Sequence, residues 1–288
     1  MSSDAISPAK VILNGEHFVV HGARAVSASI DLYLKVKLEK SERDQVISNG
    51  RLINAAYAVQ KVKEITGLDY VKVIVNSKIP KSAGLGSSAA FHTALVIASY
   101  KYKGLSLKED EVFKHAMDLE KVVHKNPSGI DVWSVLKGGV IIFKRGETPS
   151  SINSKLSKVL LIDSKERRNT GKLVSSVGEL KEKMSHFNEL VELSDSLSLS
   201  LKDALEQGDE QKACVIFKMA QSLLKIIGVS TEKIDKLVNE LEKMSYCAKI
   251  TGAGGGGFLI ALPPNKLLDM PSREVKIGVK GALDLNFY

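Results

Sequence analysis

Glycines at 84 and 86, hydroxyls at 87 and 88 and alanines at 83, 89 and 90 are crowded into IPKSAGLGSSAAFHTAL, residues 79–95. Glycine lets backbone N–H groups approach an anion closely, and a helix beginning at Ser87 or Ser88 aims the positive end of its dipole at the same point. The hydroxyls can bind phosphate or a metal, so the stretch has the chemistry of a phosphate cradle. It is not a Walker loop, because no GxxxxGK[ST] occurs in the chain. Gly84, Gly86 and Ala89 also satisfy GxGxxG/A. The acidic helix LSLKEDEVFKHAMDLEKV then follows where a dinucleotide unit needs a second strand ending in a carboxylate, so nicotinamide chemistry is not expected. Taken alone, the stretch could also be a glycine-serine turn that only caps a helix.

A second cluster lies in LEKVVHKNPSGIDVW. Asp131 follows a Pro-Ser-Gly turn, where a carboxylate is either an N-cap or a base held at a loop-to-helix junction. Glu120 belongs to the helix that ends before this turn, so the two carboxylates can converge on one cleft and offer oxygen ligands to a hard cation. His17 and His21 invite a zinc reading that their spacing opposes. FVV between them reads as strand, which would set the rings about 13 Å apart, and there is no HExxH. His17, beside Glu16, suits either a polar substrate contact or a structural hydrogen bond.

These groups need a scaffold, and its pattern is mixed. Residues 9–38 are β-rich; RLINAAYAVQKVKEITG has helical spacing with Gly67 as a stop; YVKVIVNSKIP alternates as a strand. The runs AAFHTALVIASYKY and SLKEDEVFKHAMDLEKVVH read as helices and GGVIIFK as a strand. After the strand KVLLIDS the chain is helical from 171 to 245, with breaks and caps at Gly208, Gly228 and Ser230 or Thr231. Strands return in YCAKIT and FLIAL around GAGGGG, and REVKIGV and LDLNFY are candidates for one or two more.

At 288 residues, with 44% hydrophobic and 26% charged residues, the chain can bury one large core or two ordinary ones. No apolar run approaches the roughly 20 residues of a spanning helix, and no secretory signal opens the sequence, so cytoplasm is expected. The net charge of +8 is dispersed among glutamates and aromatics are only 6%, which suits a small phosphate-bearing ligand better than nucleic acid. Cys214 and Cys247, outside any CxxC, are expected to be packing residues, neither a disulfide nor a zinc site.

The ordered set SPAKVILNGEHFVVHG, IPKSAGLGSSAA and KITGAGGGGF, with HKNPSGIDVW and LLIDSKERRNTGKLV, resembles the GHMP kinase family over nearly the whole chain, in its shorter archaeal type. GEHFVVHG points to the mevalonate branch. The resemblance implies a two-domain α+β fold, an ATP-binding domain over 1–150 and a C-terminal domain over 151–288, with the active site in the cleft between them. It implies ATP wrapped by Lys81, Ser82, Ala83, Gly84, Leu85, Gly86, Ser87, Ser88, Ala89 and Ala90, and Mg2+ held by Ser88 and Glu120. Asp131 would be the catalytic base with Lys10 beside it. Glu16, His17, Arg168, Thr170, Gly252, Ala253 and Gly254 would contact mevalonate. The implied activity is transfer of phosphate from ATP to the 5-hydroxyl of mevalonate, in isoprenoid synthesis. No nucleic-acid or membrane partner is expected, and a homodimer stays open. Phosphomevalonate is the alternative acceptor within the fold. A non-catalytic nucleotide-binding protein would lack one of Lys10, Glu120 and Asp131, and all three are present.

Overall fold

The structure is a computed structural model that describes residues 2–124, 126–166, 170–264 and 271–286, with backbone only for 170–172 and 174. It opens with two long antiparallel strands, β1 (Ser2–Asn14) and β2 (Ala25–Lys40), with Lys10 opposite Ser29. In β2, Leu32, Leu34, Val36 and Leu38 are buried while the residues between them are less so, the alternation of a sheet covered on one face. The short strands β3 (Gln45–Ser48) and β4 (Arg51–Leu52) lead to α1 (Ala56–Thr66), which Gly67 stops, and then to β5 (Val71–Ser77).

Helices α2 (Ser87–Lys103), α3 (Glu109–Val123) and α4 (Ile130–Lys137) follow, then β6 (Val140–Phe143) and β7 (Ser150–Ile152). These seven strands form one sheet, with β2 bordered by β1 on one edge and by β5 and β6 on the other. Helix α2 is buried from Ala89 to Ala90 and from His92 to Tyr100, and lies against β1 and β2.

The rest of the chain builds a second sheet and its helical cover. Strand β8 (Lys158–Asp163) is followed by α5 (Thr170–Lys183), α6 (Phe187–Gln207), α7 (Glu210–Ile226) and α8 (Glu232–Lys243). Asp209 caps α7 and Thr231 caps α8, accepting the Ile234 N–H at 3.1 Å. Strands β9 (Cys247–Ile250), β10 (Phe258–Leu262) and β11 (Ser272–Lys276) complete an antiparallel sheet in the order β11-β8-β10-β9, and α9 (Ala282–Asn286) ends the fold. No helix among the described residues is long and apolar enough to cross a membrane.

Three expectations are corrected. The segment Phe18–His21 is a 3-10 turn, not strand, because Gly15 and Gly22 take φ of 98° and 102° at its ends and Ala23 N–H bonds back to Phe18 O at 3.2 Å. A run of three apolar residues carries no period that separates the two. The LDLN stretch is the helix α9, not a strand. Asn286 explains the choice: its side chain donates to Ile6 O at 2.7 Å and accepts from Ile6 N–H at 3.1 Å, so α9 docks on β1 through a side chain. Finally, Cys214 and Cys247 are not merely packing. Helix α7 lies on β9, which brings their Cα atoms to 5.2 Å, and they are disulfide-bonded.

Candidate active site

The glycine-serine loop leads directly into a helix. Helix α2 begins at Ser87, with Gly86 as its N-cap at φ 72°. A Cβ at Gly86 would meet Lys10 Cγ at 2.7 Å, and one at Gly84 would meet Thr251 O at 2.2 Å. The two glycines therefore admit the stem of a lysine and the backbone of the glycine-rich turn at 251–257. Ala83, Leu85, Ala89 and Ala90 face the core, Lys81 and Ser82 are exposed, and Gly84, Gly86, Ser87 and Ser88 line the opening.

Lys10, 1% exposed, ties its strand to this loop. Its N–H bonds to Leu85 O at 3.1 Å, and its ammonium donates to Gly84 O at 3.0 Å and pairs with Asp131 Oδ1 at 3.0 Å. Asp131 lies in the first turn of α4 with its side chain 40% exposed, so one face of the carboxylate is open. Trp133 stacks on Phe113 of α3 with ring centroids 4.0 Å apart, fixing α4 against the helix that carries Glu120.

Glu120 is 4% exposed. Its Oε1 accepts from Ser88 Oγ at 2.7 Å and lies 2.6 Å from His92 Nδ1, while His124 Nε2 is 3.6 Å from Oε2. Burial pushes this carboxyl up, but His92, Ser88 and His124 outweigh it and hold the group below its ordinary value. A buried carboxylate beside a hydroxyl, next to the glycine loop, is an all-oxygen donor set that suits Mg2+. The ring of His92 continues to Tyr57 Oη, 2.9 Å from Nε2; burial and then the charge of Glu120 hold that phenol above its ordinary value.

The turn after β1 is enclosed. Glu16, 2% exposed, pairs with Lys249, which also donates to Ile250 O at 2.5 Å and Ile12 O at 3.3 Å. Burial drives the carboxyl up and the ammonium down, against the attraction between them. His17 sits at φ 63° with Nε2 3.0 Å from Ala253 O, and burial holds its imidazole low. Thus Lys10, Glu16, His17, Gly84, Gly252 and Ala253 form one contiguous assembly. Gly254 packs aside, against Val229. Arg168 lies outside the described residues, and of Thr170 only the backbone, at the start of α5, is described.

The chain matches the GHMP kinases N terminal domain over residues 51–139 and the GHMP kinases C terminal region over residues 201–268. Mevalonate kinase of Aeropyrum pernix is 32% identical to it over 283 residues, covering 90% of this chain and 87% of that one. The chain belongs to the GHMP kinase family. Mevalonate kinase of Archaeoglobus fulgidus is 31% identical, covering 94% of this chain and 97% of its own. The crystal structure of Methanococcus jannaschii mevalonate kinase is similar with a TM-score of 0.80 at 25% identity, over 96% of this chain and 98% of that one.

Within this GHMP kinase, sequence reasoning missed His92, Tyr57 and Lys249. His92 stands four residues after Ser88, on the same face of α2, a spacing that was available to be read. Lys249 is a lone charge in the apolar strand YCAKIT. Tyr57 gave no signal, since its contact is made by helix packing alone.

Proposed function

We propose that this enzyme transfers the γ-phosphoryl group of ATP to the 5-hydroxyl of mevalonate, giving 5-phosphomevalonate and ADP in the cytoplasm for isoprenoid synthesis. The observation that carries the reading is the Lys10–Asp131 pair, 3.0 Å apart, beside the N-terminus of α2. The relatives of at least 30% identity, mevalonate kinases over most of their length, supply the acceptor. We assign residues 1–150 to the nucleotide half and 151–288 to the second half; the separate sheets β1–β7 and β8–β11 support two parts, although β7, in the first sheet, runs on to Ile152.

Asp131 accepts the proton of the 5-hydroxyl as its oxygen bonds to the γ-phosphorus and the bond from that phosphorus to the β–γ bridging oxygen breaks. A loose transition state asks for alignment and charge neutralisation more than for a strong base. Lys10 supplies a positive charge next to Asp131, and the backbone N–H groups at the start of α2 hold the phosphates. Ser88 and Glu120 are the residues that would hold Mg2+, which when bound neutralises phosphate charge. Glu16, His17, Arg168, Thr170 and the 252–254 turn are assigned to the acceptor. Glu16 serves that role through its pairing with Lys249, which fixes the turn that presents His17.

The test is ADP release with Mg-ATP and, separately, mevalonate, phosphomevalonate, homoserine and galactose, with phosphorus NMR of the product. Selective conversion of mevalonate to its 5-phosphate is expected. Turnover of another acceptor, or phosphate on the tertiary hydroxyl, would overturn the substrate assignment.

A further inference from the structure

We propose that Tyr57 and His92 are positioning residues that orient Glu120 so that its Oε2 is presented to the divalent cation accompanying the nucleotide. The proposal rests on the metal assignment made above.

The hydrogen bonds divide the two carboxylate oxygens. Oε1 takes Ser88 Oγ at 2.7 Å and His92 Nδ1 at 2.6 Å, two donors for one oxygen, while among the described residues Oε2 has only the His124 ring at 3.6 Å, beyond hydrogen-bond length. Ser88, in donating its proton, keeps its oxygen lone pairs for a ligand. The ring of His92 has no exposed surface and cannot turn to solvent for other partners. Its second nitrogen is 2.9 Å from Tyr57 Oη, with the two rings edge to face at 84°. In a neutral ring every group is matched: Tyr57 O–H donates to Nε2, and Nδ1–H donates to Glu120.

The relay joins three helices, α1, α2 and α3, at one carboxylate. A histidine needed only to fill the core would not have to place its donor on the one buried glutamate at the cradle mouth. Outer partners of this kind fix the orientation of ligating groups, and losing them typically costs about 10- to 100-fold in metal affinity.

The experiment measures Mn2+ binding to the full chain saturated with ADP, by the EPR signal of free Mn2+, for wild type, Tyr57→Phe, His92→Leu and His92→Asn. The expected dissociation constant rises about 10- to 100-fold in His92→Leu and by a smaller factor in Tyr57→Phe. It recovers in His92→Asn, whose amide restores a donor near Nδ1. ADP affinity in EDTA stays within about twofold throughout, as expected if only the metal contact changes. Equal Mn2+ affinities in all four proteins, with only the melting temperature lowered in the variants, would show a structural role and overturn the proposal. Should His92→Leu fail to fold, Tyr57→Phe decides by the same criterion, since it removes one oxygen. Failure of the wild type itself to bind Mn2+ would overturn the metal assignment, and this proposal with it.

Discussion

The ammonium of Lys10, on β1, lies 3.0 Å from Oδ1 of Asp131, on α4, and is held there by a second bond to Gly84 O at 3.0 Å. One buried cation thus fixes both the proposed base and the glycine loop. Replacing Asp131 by Asn keeps the shape and removes the proposed proton acceptor, so kcat should fall about 10²- to 10⁴-fold while ATP affinity changes little. Steady-state kinetics with isothermal titration of ATP checks this, and turnover within tenfold of wild type would remove Asp131 from its role.

The cradle depends on missing side chains. Gly84 has φ 81° and no room for a Cβ against Thr251 O. Gly84→Ala should cost on the order of 1–3 kcal/mol of stability and weaken ATP binding, whereas Gly50→Ala, where φ is 78° but nothing lies within 4 Å of a Cβ, should cost less and leave ATP binding near wild type. Urea unfolding and nucleotide titration of the pair make the comparison. Equal behaviour of the two variants would show that the loop is not braced as described.

Glu16 and Lys249 form a fully enclosed ion pair. Lys249→Met leaves a buried carboxylate alone and should destabilise by about 3–5 kcal/mol. The double variant Glu16→Gln with Lys249→Met should recover a good part of that loss. A double-mutant cycle by chemical denaturation decides it, because additive losses would mean that the two side chains are not coupled.

The imidazole of His17 is held below its ordinary 6.5 mainly by burial, with its bond to Ala253 O pulling the other way and His21 nearby adding to the depression. Between the depressed folded value and 6.5 the unfolded chain carries more protons. The group's contribution is therefore complete above about pH 6.5 and is lost as pH falls through the folded value, at no more than about 1.4 kcal/mol per pH unit. Asn tolerates the left-handed backbone at this position. The stability advantage of wild type over His17→Asn should shrink between pH 7.5 and 5.5, and parallel melting curves across that range would contradict it.

What could be read in advance was what local pattern encodes. Gly67, Gly208 and Thr231 end or begin helices where their chemistry says, and GLGSS opens α2 because glycine and serine serve a helix start. The Lys10–Asp131 pair could be named only through family resemblance, since the two residues are far apart in sequence and no spacing links them. His17–Ala253, Glu16–Lys249 and Cys214–Cys247 were illegible for the same reason: each joins segments that meet only when the second sheet is built. The FVVH turn and α9 were misread because both runs are too short to show a period, and their geometry is set by flanking glycines and by Asn286.

The bracing of Gly84 by residues 251 and 252, with Phe258 N–H bonded to Ala83 O at 3.2 Å, also bears on synthesis. A ribosome places the GLGSS loop in the nascent chain on the order of ten seconds or more before the segment that supports it. A nascent chain that has not reached residue 251 lacks the backing of the 83–86 loop. The loop is therefore completed only after residues 251–258 have been added to the chain.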